Sequence, residues 1–186
     1  MTLEIKFHAR AGQGSKTMAH FMAEAAAEQG QYAQAFPYYG PARGGAPMDA
    51  FCRISDQPIR IHTLIIDPDI LVVVDETLLA SQKILCNMHH NQILLINTKK
   101  SAAEIAQEYK CPATRIYAVD ASGISLKNLK RDMANTSLLG ALVKIVDQVE
   151  IDDLIKIVEE LFTKKLGSEM TAANINTIKE GYDAIS

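Results

Sequence analysis

The sequence predicts an α/β fold, a three-layer sandwich with a mostly parallel sheet, an antiparallel hairpin and a helical C-terminal end. Three observations predict it. The chain opens with a strand, a glycine turn and a helix, which is how a βαβ unit begins. Short apolar runs of strand length then alternate with segments of helical periodicity, and the chain ends in helical segments. Such alternation is typical of a parallel sheet covered by helices on both faces.

The strands are predicted from two patterns. Residues 3–7 alternate apolar and polar side chains, as in a strand with one buried face. Residues 32–36 are expected to form a second strand, and residues 50–54 and 58–61 are expected to form a hairpin. Three later runs are largely apolar, as expected of strands buried on both faces, and they cover residues 70–74, 92–96 and 115–119.

The helices follow from the spacing of apolar residues. Thr17, Phe21, Met22 and Ala25 predict a first helix that ends near Gly30. Further helices are expected over residues 76–86, 101–109, 136–149, 152–166 and 168–182. Because no linker, repeat or low-complexity tract separates these elements, residues 1–186 are predicted to form a single domain.

The composition excludes several classes of protein. In 186 residues, 19 Lys and Arg face 22 Asp and Glu, a net charge of −3. This charge argues against a protein whose whole surface attracts nucleic acid or an anionic membrane, although it leaves room for a local basic patch. Three scattered cysteines are too few for a disulfide framework and suit a reducing compartment. No run reaches the ~18–20 apolar residues of a membrane helix, and the N-terminus does not resemble a signal peptide. We therefore expect a cytoplasmic protein.

The turn Gly12-Gln13-Gly14, after the first strand, is the sharpest local signal. Its glycines allow positive φ and close approach of a ligand, and the helix that follows presents free N–H groups to an anion. It is neither a Walker A loop, because Ser15 stands before Lys16-Thr17, nor a full dinucleotide fingerprint, which requires a small residue where Thr17 stands. A purely structural turn explains the spacing equally well.

The second signal is a turn-rich segment over residues 37–47. It places Tyr38 and Tyr39 beside Arg43 and the pair Gly44-Gly45. The arginine could bind a phosphate or a carboxylate, and loops carry binding residues more often than the elements they connect. A solvated surface turn would explain the glycines and prolines, but not the aromatic pair.

The remaining candidates are weaker. Asp75 and Asp120 each close a predicted strand, where open α/β sheets bind ligands, but acidic helix caps occur at the same places. Residues 135–137, Asn-Thr-Ser, are expected to cap the helix that follows. The adjacent His89 and His90 cannot chelate as a pair, so no metal site is predicted.

Two loops resemble those of a known family. Residues 7–14, FHARAGQG, are similar to the opening FHGRGGQG of the gamma subunit of 2-oxoacid:ferredoxin oxidoreductases. Residues 34–40, QAFPYYG, with RGGAP at 43–47 and FCRI at 51–54, resemble the family's second loop and the strand after it. The family commonly has a glutamate and a second arginine around the position of Arg43, which here is the only arginine of that loop.

Two later elements extend the resemblance. Pro68, Asp69 and Asp75 with the leucine pair at 78–79 match the family pattern PDxxxxxDxxLL. Residues 135–141, NTSLLGA, match its NTxxLGA helix start. The matching elements occur in the family's order from residue 7 to residue 141. The residues after 141 add little to the resemblance.

The resemblance implies oxidative decarboxylation, in which a 2-oxoacid, pyruvate above all, and coenzyme A give acyl-CoA, CO2 and two electrons for ferredoxin or flavodoxin. Thiamine diphosphate with Mg2+ and iron–sulfur clusters are then expected on alpha, beta and delta-type partner subunits. This chain lacks the GDG…N thiamine pattern, and its three cysteines cannot make a ferredoxin-type cluster site. It is expected to be inactive alone, and an isolated subunit that exposes a large apolar interface could self-associate as a homodimer.

The resemblance also implies a role for particular residues. The chain would cover the thiamine site and help to form the coenzyme A entrance, with no catalytic residue of its own. The residues expected near substrate or cofactor are Arg10, Gly12, Gln13, Gly14, Tyr39, Arg43 and Gly44. Arg10 and Arg43 would contact carboxylate or phosphate groups.

Two alternatives stay open. The first is a self-contained nucleotide-binding module that uses the same glycine turn, although the acidic residue that would bind a ribose is missing after the second strand. The second is a structural scaffold subunit that contacts no ligand. Binding of NAD(P) or ATP by the isolated chain would favour the first, and loop mutations that affect assembly but not kinetics would favour the second.

Overall fold

The computed structural model of the chain describes residues 2–38, 45–82, 84–113 and 115–185. Within these ranges six strands form one sheet. The strands are β1 (Thr2–Arg10), β2 (Tyr32–Tyr38), β3 (Pro47–Ser55), β4 (Ile70–Val73), β5 (Ile93–Asn97) and β6 (Arg115–Val119). The helices are α1 (Ser15–Glu28), α2 (Thr77–Gln82), α3 (Ala102–Tyr109), α4 (Ala121–Leu129), α5 (Ala134–Ile145), α6 (Ile151–Leu166) and α7 (Ser168–Asp183), and a 3₁₀ turn covers Ile84–Asn87.

The sheet is mostly parallel, as predicted. Its strand order is β2-β3-β1-β4-β5-β6. The strands β1, β4, β5 and β6 are parallel neighbours, whereas β3 runs antiparallel to both β1 and β2. All carboxyl ends except that of β3 therefore lie at one edge of the sheet.

Helices cover both faces of the parallel half, which confirms the three-layer sandwich. Alternate strand residues point to opposite faces. Phe7, Val72 and Leu95 belong to the larger core, which packs against α1, α5, α6 and α7. Leu71 and Leu94 belong to the smaller core on the opposite face, which packs against α2 and α3.

The predicted hairpin over residues 50–54 and 58–61 is wrong. Residues 58–61 form no strand, because both sides of β3 are already paired, with β1 and with β2. Pro58 also lacks the N–H group that a paired strand would use. The segment instead follows the surface and is held by the buried Arg53, whose Nη2 donates to the carbonyl oxygen of Thr63 at 2.8 Å.

Helix α4 was not predicted, although its start is encoded in the sequence. The carboxylate of Asp120 accepts a hydrogen bond of 2.9 Å from the N–H of Gly123 and so caps the helix. Of the two roles open to Asp120, capping is the one observed. Ala121, Ser125 and Leu129 are buried at intervals of one helical turn, a spacing that could have predicted the helix.

The predicted cap of the helix over 136–149 is also wrong. This helix, α5, begins at Ala134, and its N-cap residue is Met133, which has no side-chain cap. Asn135 lies inside the first turn, where its side chain contacts the turn after β1. The predicted helix over 76–86 is shorter than expected, because α2 ends at Gln82 and a 3₁₀ turn follows.

Two glycines bring the C-terminal helices close together. A Cβ atom at Gly140 of α5 would collide with the carbonyl oxygen of Ile178 in α7. In the same crossing, a Cβ atom at Gly181 would collide with the carbonyl oxygen of Ser137. The close crossing places α7 against α5 and, with it, beside the carboxyl ends of the strands. None of the described helices is long and apolar enough to cross a membrane.

Candidate functional site

A cleft of about 620 Å³ lies at the carboxyl ends of the parallel strands. The turn 12–14 follows β1, residues 74–77 follow β4, Asn97 ends β5 and Ser122 lies just after β6, and all of them line the cleft. Helices α1, α5, α6 and α7 supply most of the remaining wall, including Phe21 and Phe162. Open α/β sheets bind ligands at this edge, so the cleft is the candidate site.

The glycine turn lines the cleft, and its two glycines serve different purposes. Gly12 has φ +102° and open space around it, so its conformation alone requires glycine. Gly14 has φ +82°, and a Cβ atom there would lie 2.6 Å from Nδ2 of Asn135. Gln13 closes the turn, because its Oε1 accepts a hydrogen bond of 2.7 Å from the N–H of Arg10.

Arg10 does not itself line the cleft, but it forms an ion pair with Asp75, which does. Nε of Arg10 lies 2.9 Å from Oδ2 of Asp75, and Nη2 donates to Oγ1 of Thr77 at 2.8 Å. Gln13 donates to the same carboxylate at 3.0 Å. Partial burial would raise the pKa of Asp75, but hydrogen bonds from Thr77, Gln13 and Arg10 outweigh burial and hold it below its usual value. The sequence singled out Arg10 and Asp75 separately, and the structure joins them.

The two predicted loops meet where both are described. The N–H of Ala11 donates to the carbonyl oxygen of Ala46 at 2.8 Å, and the N–H of Gly45 donates to that of Ala11 at 3.3 Å. Nη1 of Arg10 also donates to the carbonyl oxygen of Gly45 at 3.2 Å. The other three predicted residues, Tyr39, Arg43 and Gly44, lie outside the described residues.

A chain of polar groups that the sequence analysis missed crosses the floor of the cleft. Nδ2 of Asn97 donates to the carbonyl oxygen of Val74 and to Oγ of Ser122, both at 3.0 Å. Ser122 in turn donates to Asp132 at 2.8 Å. Asp75 and Asp120 were selected because each is a polar residue at the carboxyl end of a predicted strand. Asn97 directly follows the apolar run of β5, so the same criterion would also have selected it.

Two helices point uncapped N-termini at this cleft. Neither Gly14 before α1 nor Met133 before α5 offers a side-chain cap, and both line the cleft. Thr136, in the first turn of α5, also lines it and is only 5% exposed. No hydrogen bond from its hydroxyl is found among the described residues, and the hydroxyl is not one of their buried unpaired polar atoms, so it is open to the cleft. Free N–H groups, positive dipole ends and an unused hydroxyl together suit an anionic group such as phosphate or carboxylate.

Of the three described carboxylates that line the cleft, Asp75 and Glu76 are paired with cations, whereas Asp132 accepts a hydrogen bond from Ser122. Asp75 pairs with Arg10, and Glu76 pairs with Lys100 at 2.6 Å. Burial would raise the pKa of Glu76, but hydrogen bonds from Lys100 and Thr98 outweigh it and lower the pKa. Two of the cleft's carboxylates therefore have a bound cation, which reduces their repulsion of an anion.

The two described cysteines cannot share an iron–sulfur cluster. Cys52 is fully buried in the larger core, and Cys111 packs against the smaller core on the opposite face of the sheet. Within the described ranges, no three His, Cys, Asp or Glu side chains are grouped so that they could hold a metal ion.

Comparisons with known proteins identify the family. The profile of the pyruvate ferredoxin/flavodoxin oxidoreductase family matches residues 4–184. The pyruvate synthase subunit PorC of Thermotoga maritima is 43% identical over 182 residues, which cover 98% of this chain and 94% of that protein. The common subunit gamma of the pyruvate/ketoisovalerate oxidoreductases of Thermococcus kodakarensis is 40% identical and covers 92% of both chains.

A solved structure agrees with these sequence matches. The crystal structure of pyruvate oxidoreductase subunit PORC from Thermotoga maritima superposes with a TM-score of 0.84 at 40% identity, over 98% of this chain and 96% of that one. The resemblance found in the two loops is confirmed over almost the whole chain. The chain belongs to the pyruvate ferredoxin/flavodoxin oxidoreductase family, as a subunit of the gamma type.

Proposed function

We propose that this chain, as a single domain over residues 1–186, completes the substrate site of a cytoplasmic, multi-subunit 2-oxoacid:ferredoxin or flavodoxin oxidoreductase. The complex would convert a 2-oxoacid and coenzyme A into acyl-CoA and CO2 and pass two electrons to ferredoxin or flavodoxin. Pyruvate is the favoured 2-oxoacid, because the relatives' names specify pyruvate. On its own the chain would be inactive.

The cofactors are proposed to lie on partner subunits of the alpha, beta and delta types. Thiamine diphosphate with Mg2+ supplies the carbanion chemistry, and iron–sulfur clusters carry the electrons. Cys52 and Cys111 lie on opposite faces of the sheet, which supports the placement of the iron–sulfur clusters on partner subunits. This chain's own contribution is the binding and orientation of anionic groups.

One observation carries the proposal, namely the convergence of two uncapped helix N-termini and the unused hydroxyl of Thr136 on a single cleft. Both substrates of the reaction are anionic, the 2-oxoacid through its carboxylate and coenzyme A through its phosphates. Helix N-termini bind such groups through backbone N–H donors, and Thr136 adds a side-chain donor. Because the Thr136 hydroxyl is not among the buried unpaired polar atoms of the described residues, it is open to the cleft and can donate to a ligand there.

The predicted residues have distinct proposed roles. Gly12, Gln13 and Gly14 shape the wall, since their turn carries the chain from β1 into α1 along the cleft. Arg10 uses three of its five N–H groups on Asp75, Thr77 and Gly45, which leaves two for an anion. Tyr39, Arg43 and Gly44 are proposed to approach the same anion, because they precede Gly45, which contacts Arg10.

The test is the steady-state kinetics of the assembled complex with Thr136→Val in this chain. Valine keeps the shape and removes the donor, so the KM for the 2-oxoacid or for coenzyme A is expected to rise about 2- to 10-fold. Thr163→Val is the matched control, because Thr163 is exposed on α6 and does not line the cleft. Unchanged KM values for both substrates in Thr136→Val, Arg10→Ala and Arg43→Ala would refute the assignment of the site.

Two alternatives predict other outcomes. A self-contained nucleotide-binding module would bind NAD(P) or ATP at micromolar concentration as the isolated chain. A scaffold subunit would give loop variants with altered assembly and normal kinetics. The subunit proposal predicts negligible nucleotide binding by the isolated chain and altered KM values in the complex.

A further inference from the structure

A second cavity, of about 550 Å³, forms a groove between α1, β2 and α6. Its lining includes the apolar residues Phe21, Pro37, Leu161 and Phe162. His20 also lines it, and Lys16 and Lys165 place two positive charges on the rim of this apolar groove. The proposed function described above gives this groove no role.

The groove runs along the free edge of the sheet. Three consecutive residues of β2, Ala35, Phe36 and Pro37, line it. Because alternate strand residues point to opposite faces, three in a row can border one groove only along the edge of the strand. Among the described residues β2 has a strand neighbour on one side only, namely β3. The backbone groups of the outer edge are therefore available to another chain.

The edge lacks the features that usually protect a free strand. Proteins commonly place charged residues on exposed edge strands to prevent pairing with other chains. The sequence of β2, YAQAFPY, contains none, and Pro37 near its end is the one protective residue in it. Tyr32 and Tyr38 at its two ends are 49% and 47% exposed. An uncharged edge of this kind suits a strand that another chain covers.

The charge of the groove specifies the chemistry of what covers it. Lys16 and Lys165 are exposed and have no ion-pair or hydrogen-bond partner among the described residues. His20 lies beside them on the rim and contacts Glu24 at 3.2 Å. In a chain whose net charge is −3, two unpaired lysines beside an apolar groove favour a ligand that is both acidic and apolar.

The groove adjoins the candidate site. Thr17, Phe21 and Phe162 line both cavities, and the rings of Phe21 and Phe162 lie 5.5 Å apart. These aromatic side chains thus form a common wall. A segment bound in the groove would pack against the wall of the cleft and fix its position.

We propose that the groove binds an extended, acidic polypeptide segment of another subunit, which adds a strand to the free edge of β2. The segment's backbone pairs with β2, its apolar side chains contact Phe21 and Phe162, and its carboxylates reach Lys16 and Lys165. This is β-augmentation, in which backbone hydrogen bonds provide affinity and side-chain contacts provide specificity. The inference rests on the proposed function, because it requires a multi-subunit enzyme.

The first test is co-purification of the complex from cells that make all of its subunits, with the tag on this chain. Lys16→Glu with Lys165→Glu is expected to lower the yield of the other subunits per tagged chain at least about fivefold, because it repels the acidic segment. The neutral pair Lys16→Gln with Lys165→Gln is expected to give an intermediate loss. Lys164→Glu with Lys179→Glu is the matched control, since both lysines are exposed and line neither cavity.

The outcomes separate this inference from the proposed function. If the wild-type chain recovers thiamine- and iron–sulfur-bearing subunits and the groove variant recovers them equally well, the groove inference is wrong and the proposed function stands. If the wild-type chain recovers no such subunits, both are wrong. Equal losses in the groove variant and in the control would also refute the groove, because net charge alone would then explain the effect.

The second test identifies what lies in the groove. A photoreactive benzoylphenylalanine replaces Lys165 in the assembled complex, and the same replacement of Lys164 is the control. Position 165 is expected to crosslink to one peptide of another subunit that contains at least two acidic residues. A crosslink to a peptide without acidic residues, to free coenzyme A or to no peptide at all would overturn the inference.

Discussion

A Cβ atom at Gly14 would lie 2.6 Å from Nδ2 of Asn135, so the turn after β1 touches the first turn of α5. Both residues belong to motifs that the sequence shows separately, one near the N-terminus and one far along the chain. Their contact explains why Asn135 does not cap its helix. It also brings the two uncapped helix ends to the same cleft.

The first prediction concerns the two glycines of this turn. Both Gly12→Ala and Gly14→Ala strain a left-handed backbone, at about 1–2 kcal/mol each. Gly14→Ala also forces a methyl group against Asn135, so we expect it to lower the free energy of unfolding by about 1–3 kcal/mol more. Urea unfolding measures the stability loss of each variant. In an Asn135→Ala background, the extra loss of Gly14→Ala over Gly12→Ala should become smaller. Equal losses of stability in Gly12→Ala and Gly14→Ala would contradict the contact between Gly14 and Asn135.

The second prediction is a pH dependence that comes from Asp75. Its pKa is lowered in the folded chain, so its contribution to stability is present above the unfolded pKa of about 3.9 and is lost as the pH falls through the folded pKa. Asp75→Asn is expected to cost about 2 kcal/mol at pH 7 and progressively less below pH 4. Urea unfolding at several pH values checks this.

The control for that titration is Asp183→Asn. Asp183 is exposed at the end of α7, and its side chain has no hydrogen bond or ion pair with the described residues. Its replacement is expected to change the free energy of unfolding by less than about 0.5 kcal/mol at any pH. A stability difference for Asp75→Asn that stays constant from pH 7 to pH 3 would rule out the lowered pKa as its cause.

The third prediction concerns the crossing of α5 and α7. Gly140→Ala and Gly181→Ala each place a methyl group against a backbone carbonyl, which cannot move without separating the helices. We expect each to lower the free energy of unfolding by about 1–3 kcal/mol, despite the better helix propensity of alanine.

Gly123→Ala provides the comparison for the crossing. The three atoms nearest to the methyl group there all belong to the carboxylate of Asp120, a side chain that can rotate away. Its cost is the lost cap, typically about 1 kcal/mol, and the helix propensity of alanine offsets part of it. Thermal unfolding ranks the variants, and a larger loss for Gly123→Ala than for Gly140→Ala would contradict the packing described.

The fourth prediction concerns the surface segment over residues 56–67. Arg53 is 2% exposed, and its guanidinium donates to Glu4 at 2.6 Å and to the carbonyl oxygen of Thr63 at 2.8 Å. Arg53→Met removes both bonds, so we expect faster proteolysis and hydrogen exchange within the segment and a loss of about 2–3 kcal/mol. Arg60→Met, at an exposed position of the same segment, should leave the rates of proteolysis and hydrogen exchange and the free energy of unfolding unchanged. Normal protection of the segment in Arg53→Met would show that other contacts hold it.

The elements that depend on neighbouring residues were predicted well. The capping box of Ser101 and Glu104 begins α3, and the apolar run 115–119 coincides with β6. The predictions of strands were wrong where pairing with a distant part of the chain determines whether a strand forms. The predicted strand over 58–61 is absent because β2 and β1 already pair with both sides of β3, and no local pattern contains that information.

The sequence by itself determined the family, the fold class and most of the strands and helices, because periodicity and motifs act over short stretches of chain. Only the tertiary structure decided that Arg10 pairs with Asp75, that Asn135 faces Gly14, and that Thr136 lies unbonded in the cleft. These contacts join residues far apart in the chain, so they depend on the order of the strands and the crossing of the helices. The tertiary structure likewise left β2 at the edge of the sheet, with two lysines beside an apolar groove.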